Sequence, residues 1–140
     1  MSLNVETTRN KTLNPEYFTE IFTDYFTSLG HEPFASTDDA IQYIYAVDNI
    51  LNNAAETLDS IDASSYVQIG CALGEAFIKV FDGVWFYSEK PQRWVVRFSN
   101  GSDVIEQNVF NKLEKRIQNG MEDSITYSYE ATCTILKDGL

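Results

Sequence analysis

One histidine, His31, serves a chain of 140 residues, and the patterns that usually announce chemistry are missing. There is no HExxH, CxxC, GxGxxG, Walker A or EF-hand pattern, so the common zinc, nucleotide and calcium chemistries lack support. A catalytic triad built on His31 needs a Ser or Cys within hydrogen-bond reach. His31 follows Gly30 directly, where a helix end places it in a loop, and a loop histidine of this kind reads as structural or solvent-exposed. The two cysteines, Cys71 and Cys133, cannot form a zinc cluster by themselves. Both sit in apolar segments far apart in sequence, which fits reduced core residues of a cytoplasmic protein. No apolar run approaches the roughly 20 residues needed to cross a bilayer. The opening MSLNVETTRNKTLN has no apolar signal-peptide core, and residues 1–13 read as a disordered or tag-derived start.

Basic residues are also scarce, and unevenly so. Lys and Arg number 10 against 21 Asp and Glu, a formal net charge of -11. Residues 1–62 hold 11 of the acids and only Arg9 and Lys11 to balance them. A surface this acidic repels nucleic-acid phosphate and anionic lipid and attracts a basic protein, although solubility alone also accounts for acidity. Aromatic residues, by contrast, are plentiful at 14%, enough for a dense core within one domain spanning residues 14–140.

Asn14-Pro15-Glu16 opens a first helix with a capping side chain, a proline suited to the first turn and a favourable acid. Tyr17, Phe18, Ile21, Phe22, Tyr25, Phe26 and Leu29 recur at helical spacing until Gly30. Ser36-Thr37-Asp38-Asp39 opens a second helix with an apolar stripe from Ile41 through Ile44, Val47, Leu51 and Ala54 to Leu58. Asp62-Ala63-Ser64-Ser65 caps a third helix running to about Phe81. Gly70 and Gly74 in its interior each cost about 1 kcal/mol relative to Ala, which points to a close approach by a neighbouring element. At Asp82-Gly83 the period changes from 3.6 to 2. Strands are then predicted over 84–87, 93–98 and 103–106, separated by polar turns. Another helix follows from Asn108 or Val109 to Asn119-Gly120. Asp123-Ser124 caps a last segment, 125–136, whose pattern suits helix or strand and whose cap favours helix. The expected class is α+β: three N-terminal helices packed on a small antiparallel sheet of about three strands, then one or two C-terminal helices.

The acid pairs Asp38/Asp39, Asp59/Asp62 and Glu122/Asp123 all fall where helix caps want acids. Glu75 differs. It lies mid-helix between Leu73 and Phe77 and is expected to form a structural ion pair with Arg93 or Arg97, a buried general base being the alternative. Lys112, Lys115 and Arg116 crowd into five positions of NVFNKLEKRIQNGMEDSI. Their place near a helix C-terminus explains the charge, and Lys115 and Arg116 are assigned to ion pairing with the acidic half.

The series LGEAF (73–77), GVW (83–85), WVVRF (94–98) and VFNKLEKRIQNGMEDSI (109–125) resembles a group of small uncharacterised bacterial proteins. In that group an LGE helix, a Trp-bearing hairpin and an NPFxKVxKRxxNGxEDS-type segment follow one another; here Val109 stands where the pattern often has Pro. The resemblance covers the second half of the chain. It implies a bacterial α+β module, some of whose relatives look immunity-like, and it brings no catalytic residues.

Three functions stay open. The first is a non-enzymatic acidic protein-binding module, such as an immunity or inhibitor protein masking a basic effector such as a toxin. Its contacts would be Asp38, Asp39, Asp48, Glu56 and Asp59, with Tyr43 or Tyr45 as aromatic anchors. The second is a homo-oligomeric assembly protein, a homodimer through the aromatic first helix. The third is an enzyme or small-molecule binder with a pocket between helices and sheet, lined by Trp85, Trp94, Glu75 and Arg97. No metal or cofactor is implied by the sequence.

Overall fold

The computed structural model describes residues 5–55 and 63–137. Glu56, Asp59 and Asp62, named above as contact or capping candidates, lie outside the described residues. Among the described residues, five α-helices accompany a three-stranded antiparallel sheet: α1 (Glu16–Ser28), α2 (Thr37–Ala55), α3 (Ala63–Phe81), β1 (Val84–Ser88), β2 (Arg93–Asn100), β3 (Asp103–Gln107), α4 (Val109–Asn119) and α5 (Ile125–Lys137). The class is α+β, with three helices before the sheet and two after it. The segment left ambiguous at 125–136 is helical.

Local chemistry sets the boundaries. The Asn14 side chain accepts a hydrogen bond from the Glu16 amide (3.0 Å), and Ser36 Oγ accepts one from the Asp39 amide (3.2 Å). Asn108 caps α4 in the same way, accepting from the Asn111 amide at 3.3 Å. At the far end of α1, Gly30 takes φ 77°. The Gly30 amide then donates to the Thr27 carbonyl (3.0 Å) and the His31 amide to the Phe26 carbonyl (2.9 Å), a Schellman closure that turns the chain into residues 31–36.

The sheet runs in the order β1-β2-β3. Trp85 pairs with Val96 and Tyr87 with Trp94 across the first ladder, and Ile105 with Phe98 across the second. These residues share the face turned to the helices. Phe18 of α1 is the hub, its ring 5.0 Å from Trp85, 5.2 Å from Trp94 and 6.2 Å from Phe110. Gly70 and Gly74 do mark close approaches. A Cβ at Gly70 would collide with the Phe110 ring, and one at Gly74 with the Trp85 ring. The two rings themselves stack, 5.9 Å apart at 22°. The helix gives up side chains at two turns so that two large aromatic residues can lie against its backbone.

One expectation needs correcting here. Residues 5–13 are part of the fold: Val5–Arg9 form a 3-10 helix in which Thr7 and Thr8 are buried. Thr8 Oγ1 accepts from Arg93 Nε (2.9 Å), the Asn10 carbonyl accepts from Trp94 Nε1 (2.8 Å), and Arg9 Nη1 donates to the Pro91 carbonyl (3.2 Å). Composition missed this because the arm holds few apolar side chains and docks by hydrogen bonds. Within the aromatic stripe of α1, Phe18, Phe22 and Phe26 are buried in the core, whereas Leu29 is 53% exposed.

Candidate binding cleft

The acidic half carries an open cleft where α1 ends, the chain turns and α2 begins. Tyr25 and Phe26 supply one wall, Phe34 and Tyr43 another, and Glu32 and Asp39 stand at its edge, around a volume of about 420 Å³. Helical periodicity puts Tyr25 and Phe26 together near the end of α1, and the Schellman turn swings Glu32 and Phe34 back towards α2. The rings hold one another. Phe34 lies 5.0 Å from Phe22, 5.2 Å from Phe26 and 5.6 Å from Tyr43. Phe26 and Tyr43 meet edge to face at 5.4 Å.

The Tyr43 hydroxyl is buried without a hydrogen-bond partner. Burial, then the neighbouring Tyr25 and Cys71, push its phenol well above the ordinary tyrosine value, so it stays neutral. A neutral phenol oxygen keeps free lone pairs, and leaving them unused costs about 1–3 kcal/mol. Glu32 and Asp39 of the cleft are exposed, as are Asp24 and Asp38 elsewhere on α1 and α2, and Tyr45, two residues beyond Tyr43 on another side of α2, is 43% exposed.

The structure sorts the anticipated contact residues differently from the sequence. Asp38 and Asp39 are on the surface in the first turn of α2. Tyr43 is not an exposed anchor but half-buried wall. Asp48 is not a surface contact at all: it is 4% exposed and pairs with Arg116, Oδ1 to Nε, at 2.7 Å. Its two oxygens also cap α5 from the side, accepting from the Ile125 amide (3.1 Å), the Thr126 amide (2.9 Å) and Ser124 Oγ (2.8 Å). Burial opposes the charge of Asp48, but those amide, guanidinium and hydroxyl donors outweigh it and bring the carboxyl down to about 2. Arg116 also donates to the Asp48 carbonyl at 3.2 Å and to the Asn52 side chain. The assignment of Arg116 to ion pairing with the acidic half therefore holds. Lys115 is exposed and has no ion pair among the described residues.

The pairing expected for Glu75 is also corrected. Arg93 is buried and forms a fork with Glu114 instead, Nη2 to Oε1 at 2.7 Å and Nη1 to Oε2 at 2.9 Å, with Tyr66 Oη as a further acceptor at 2.9 Å. Arg97 lies over the Phe86 ring, 4.3 Å from its centroid, on the other side of the sheet. Strand alternation points Arg97 away from α3, and Glu75 Oε1 is left buried without a partner. Burial raises the Glu75 carboxyl, against the pull of the nearby Thr19 hydroxyl and Trp85 indole. Glu75 borders a recess of about 150 Å³ with Phe22, Pro33 and Phe34, separated from the main cleft by Phe34. Of the residues named for a pocket between helices and sheet, Trp85 and Trp94 are 7% and 5% exposed and packed on Phe18. Phe26 and Phe34 as cleft walls were missed, since a ring at core spacing looks the same from sequence whether it lines the core or a cleft. Among the described residues no group of His, Cys, Asp and Glu could hold a metal ion, and no helix is long and apolar enough to cross a membrane. Comparison with protein-family models, with curated proteins and with solved structures returns no match.

Proposed function

We propose that the chain is a non-catalytic binding module whose acidic α1–α2 side captures a basic protein, in the manner of an inhibitor or immunity protein. The observation that carries this reading is the open aromatic cleft with Glu32 and Asp39 at its edge, set in the half of the chain that holds 11 of the 21 acids. Aromatic walls give contact area that excludes water, and the surrounding carboxylates speed association and select for positive charge. The resemblance of the second half to bacterial proteins with immunity-like relatives supports the same class.

The test is capture from cells producing the chain, followed by one-to-one titration of the purified partner. A basic protein is expected to be retained by the parent and released as salt rises from about 50 to 300 mM, because exposed charges are screened over that range. The triple variant Glu32→Gln, Asp38→Asn, Asp39→Asn is expected to lose it. Retention of no basic protein, or equal retention by the triple variant, refutes the reading.

A further inference from the structure

We infer that Glu75 is a proton-operated switch beneath the cleft wall: its neutral carboxyl stays buried, and on losing its proton to solvent it swings into the adjoining recess to meet Lys79. The geometry supplies both ends of the swing. Glu75 and Lys79 stand one turn apart on α3 and both border the recess of about 150 Å³, whose other walls are Phe22, Pro33, Phe34 and Ile78. Glu75 Oε1 is buried without a hydrogen-bond partner. Lys79 is exposed and forms no ion pair among the described residues. A carboxylic acid tolerates that buried place, whereas a carboxylate left in it keeps an unsatisfied charged oxygen. Glu one turn before Lys is the favourable order for a pair on a helix, and the recess has room for the carboxylate and several waters.

Phe34 passes the change to the cleft. Pro33 and Phe34 line both the recess and the cleft. No backbone hydrogen bond among the described residues ties residues 32–35, so the ring contacts of Phe34 hold this turn, and it yields to a charge arriving beneath it. The other groups around Glu75 do not account for such a transition. Thr19 of α1 and Trp85 of β1 approach it and do not titrate. Burial keeps the Cys71 thiol of α3 and the Tyr43 phenol of α2 neutral. His31 and Glu32 border the cleft, not the recess, and their titration persists when Glu75 is replaced.

The switch belongs to the free chain and is tested without a partner. NMR titration of the full chain from about pH 4 to 9 is expected to move the Trp85 indole N–H and the Phe34 ring signals together, with a midpoint above 4.5. Glu75→Gln is expected to abolish this shared transition. Lys79→Gln, a change at an exposed position, is expected to raise its midpoint by about 0.3 pH unit, because it removes the partner of the charged form. Melting curves establish that both variants fold, and Lys79→Gln carries the test where Glu75→Gln does not. Signals that do not move, a shared transition that survives in Glu75→Gln, or a midpoint unmoved in Lys79→Gln each overturn the switch. A chain that shows the transition and captures no basic protein keeps the switch and loses the binding-module reading; capture without the transition does the reverse.

Discussion

Asp48 is a buried carboxylate that bonds to groups on other elements. It lies on α2, neutralises Arg116 of α4 and caps α5, so one carboxylate ties three helices together. Removing it leaves a buried guanidinium and two orphaned amides, and loss of one partner of a buried pair costs about 3–5 kcal/mol. Asp48→Ala is therefore expected to lower the unfolding free energy by about that amount in urea titration, with Arg116→Ala close behind and the double variant costing less than the sum. A melting temperature unchanged in Arg116→Ala would refute the structural role. The pH dependence follows from sign. The folded pKa of about 2 is below the ordinary 3.8, so this stabilisation is complete above about pH 4 and is lost as pH falls towards 2. Glu75 runs the other way. Its folded pKa is raised above the ordinary 4.5 by burial, so its penalty is absent below about pH 4.5, grows as pH rises from there towards the raised value, and is complete above it. Glu75→Gln is expected to be more stable than the parent at pH 7 and to lose that advantage near pH 4. A Glu75→Gln protein that is less stable at pH 7 would mean that the charge is stabilised in the fold.

At the scale of elements, α3 is shaped by what lies on it. Ala favours a helix over Gly by about 1 kcal/mol, yet Gly74→Ala is expected to destabilise. The added methyl would meet the Trp85 ring, which Phe18 and Phe110 hold from other sides, and overpacking of this kind costs about 1–3 kcal/mol. Thermal melts of Gly74→Ala and Gly70→Ala decide it; a rise in Tm for either would show that the ring can yield. The spacing of these glycines and the switch from period 3.6 to period 2 at Asp82-Gly83 were legible in the sequence, because both are local. The N-terminal arm was not, since its docking depends on Arg93 and Trp94, more than 80 residues away.

The whole molecule carries a net charge of -11, with most of the excess before residue 63. Self-repulsion of that kind weakens a compact state and is screened by salt. Raising NaCl from about 20 to 300 mM is expected to lift Tm by a few degrees, on the order of 1 kcal/mol, in the absence of any partner. A Tm that falls with salt would mean that favourable ion pairs dominate. The same salt would weaken partner capture, so stability and association should move in opposite directions.

The α+β class, the helix ends at Gly30 and Gly120, the hairpins and the asymmetry of charge follow from the sequence alone, because caps, turn residues and hydrophobic period act between near neighbours. Partner choice among buried charges was settled only in three dimensions. Glu114, not Glu75, meets Arg93, and Asp48 faces inward, because packing decides which of many similar carboxylates comes within reach of a guanidinium. The cleft likewise belongs to tertiary structure. Tyr25, Phe26, Phe34 and Tyr43 have the spacing of core residues, and it is the turn after Gly30 that leaves their rings standing around an opening.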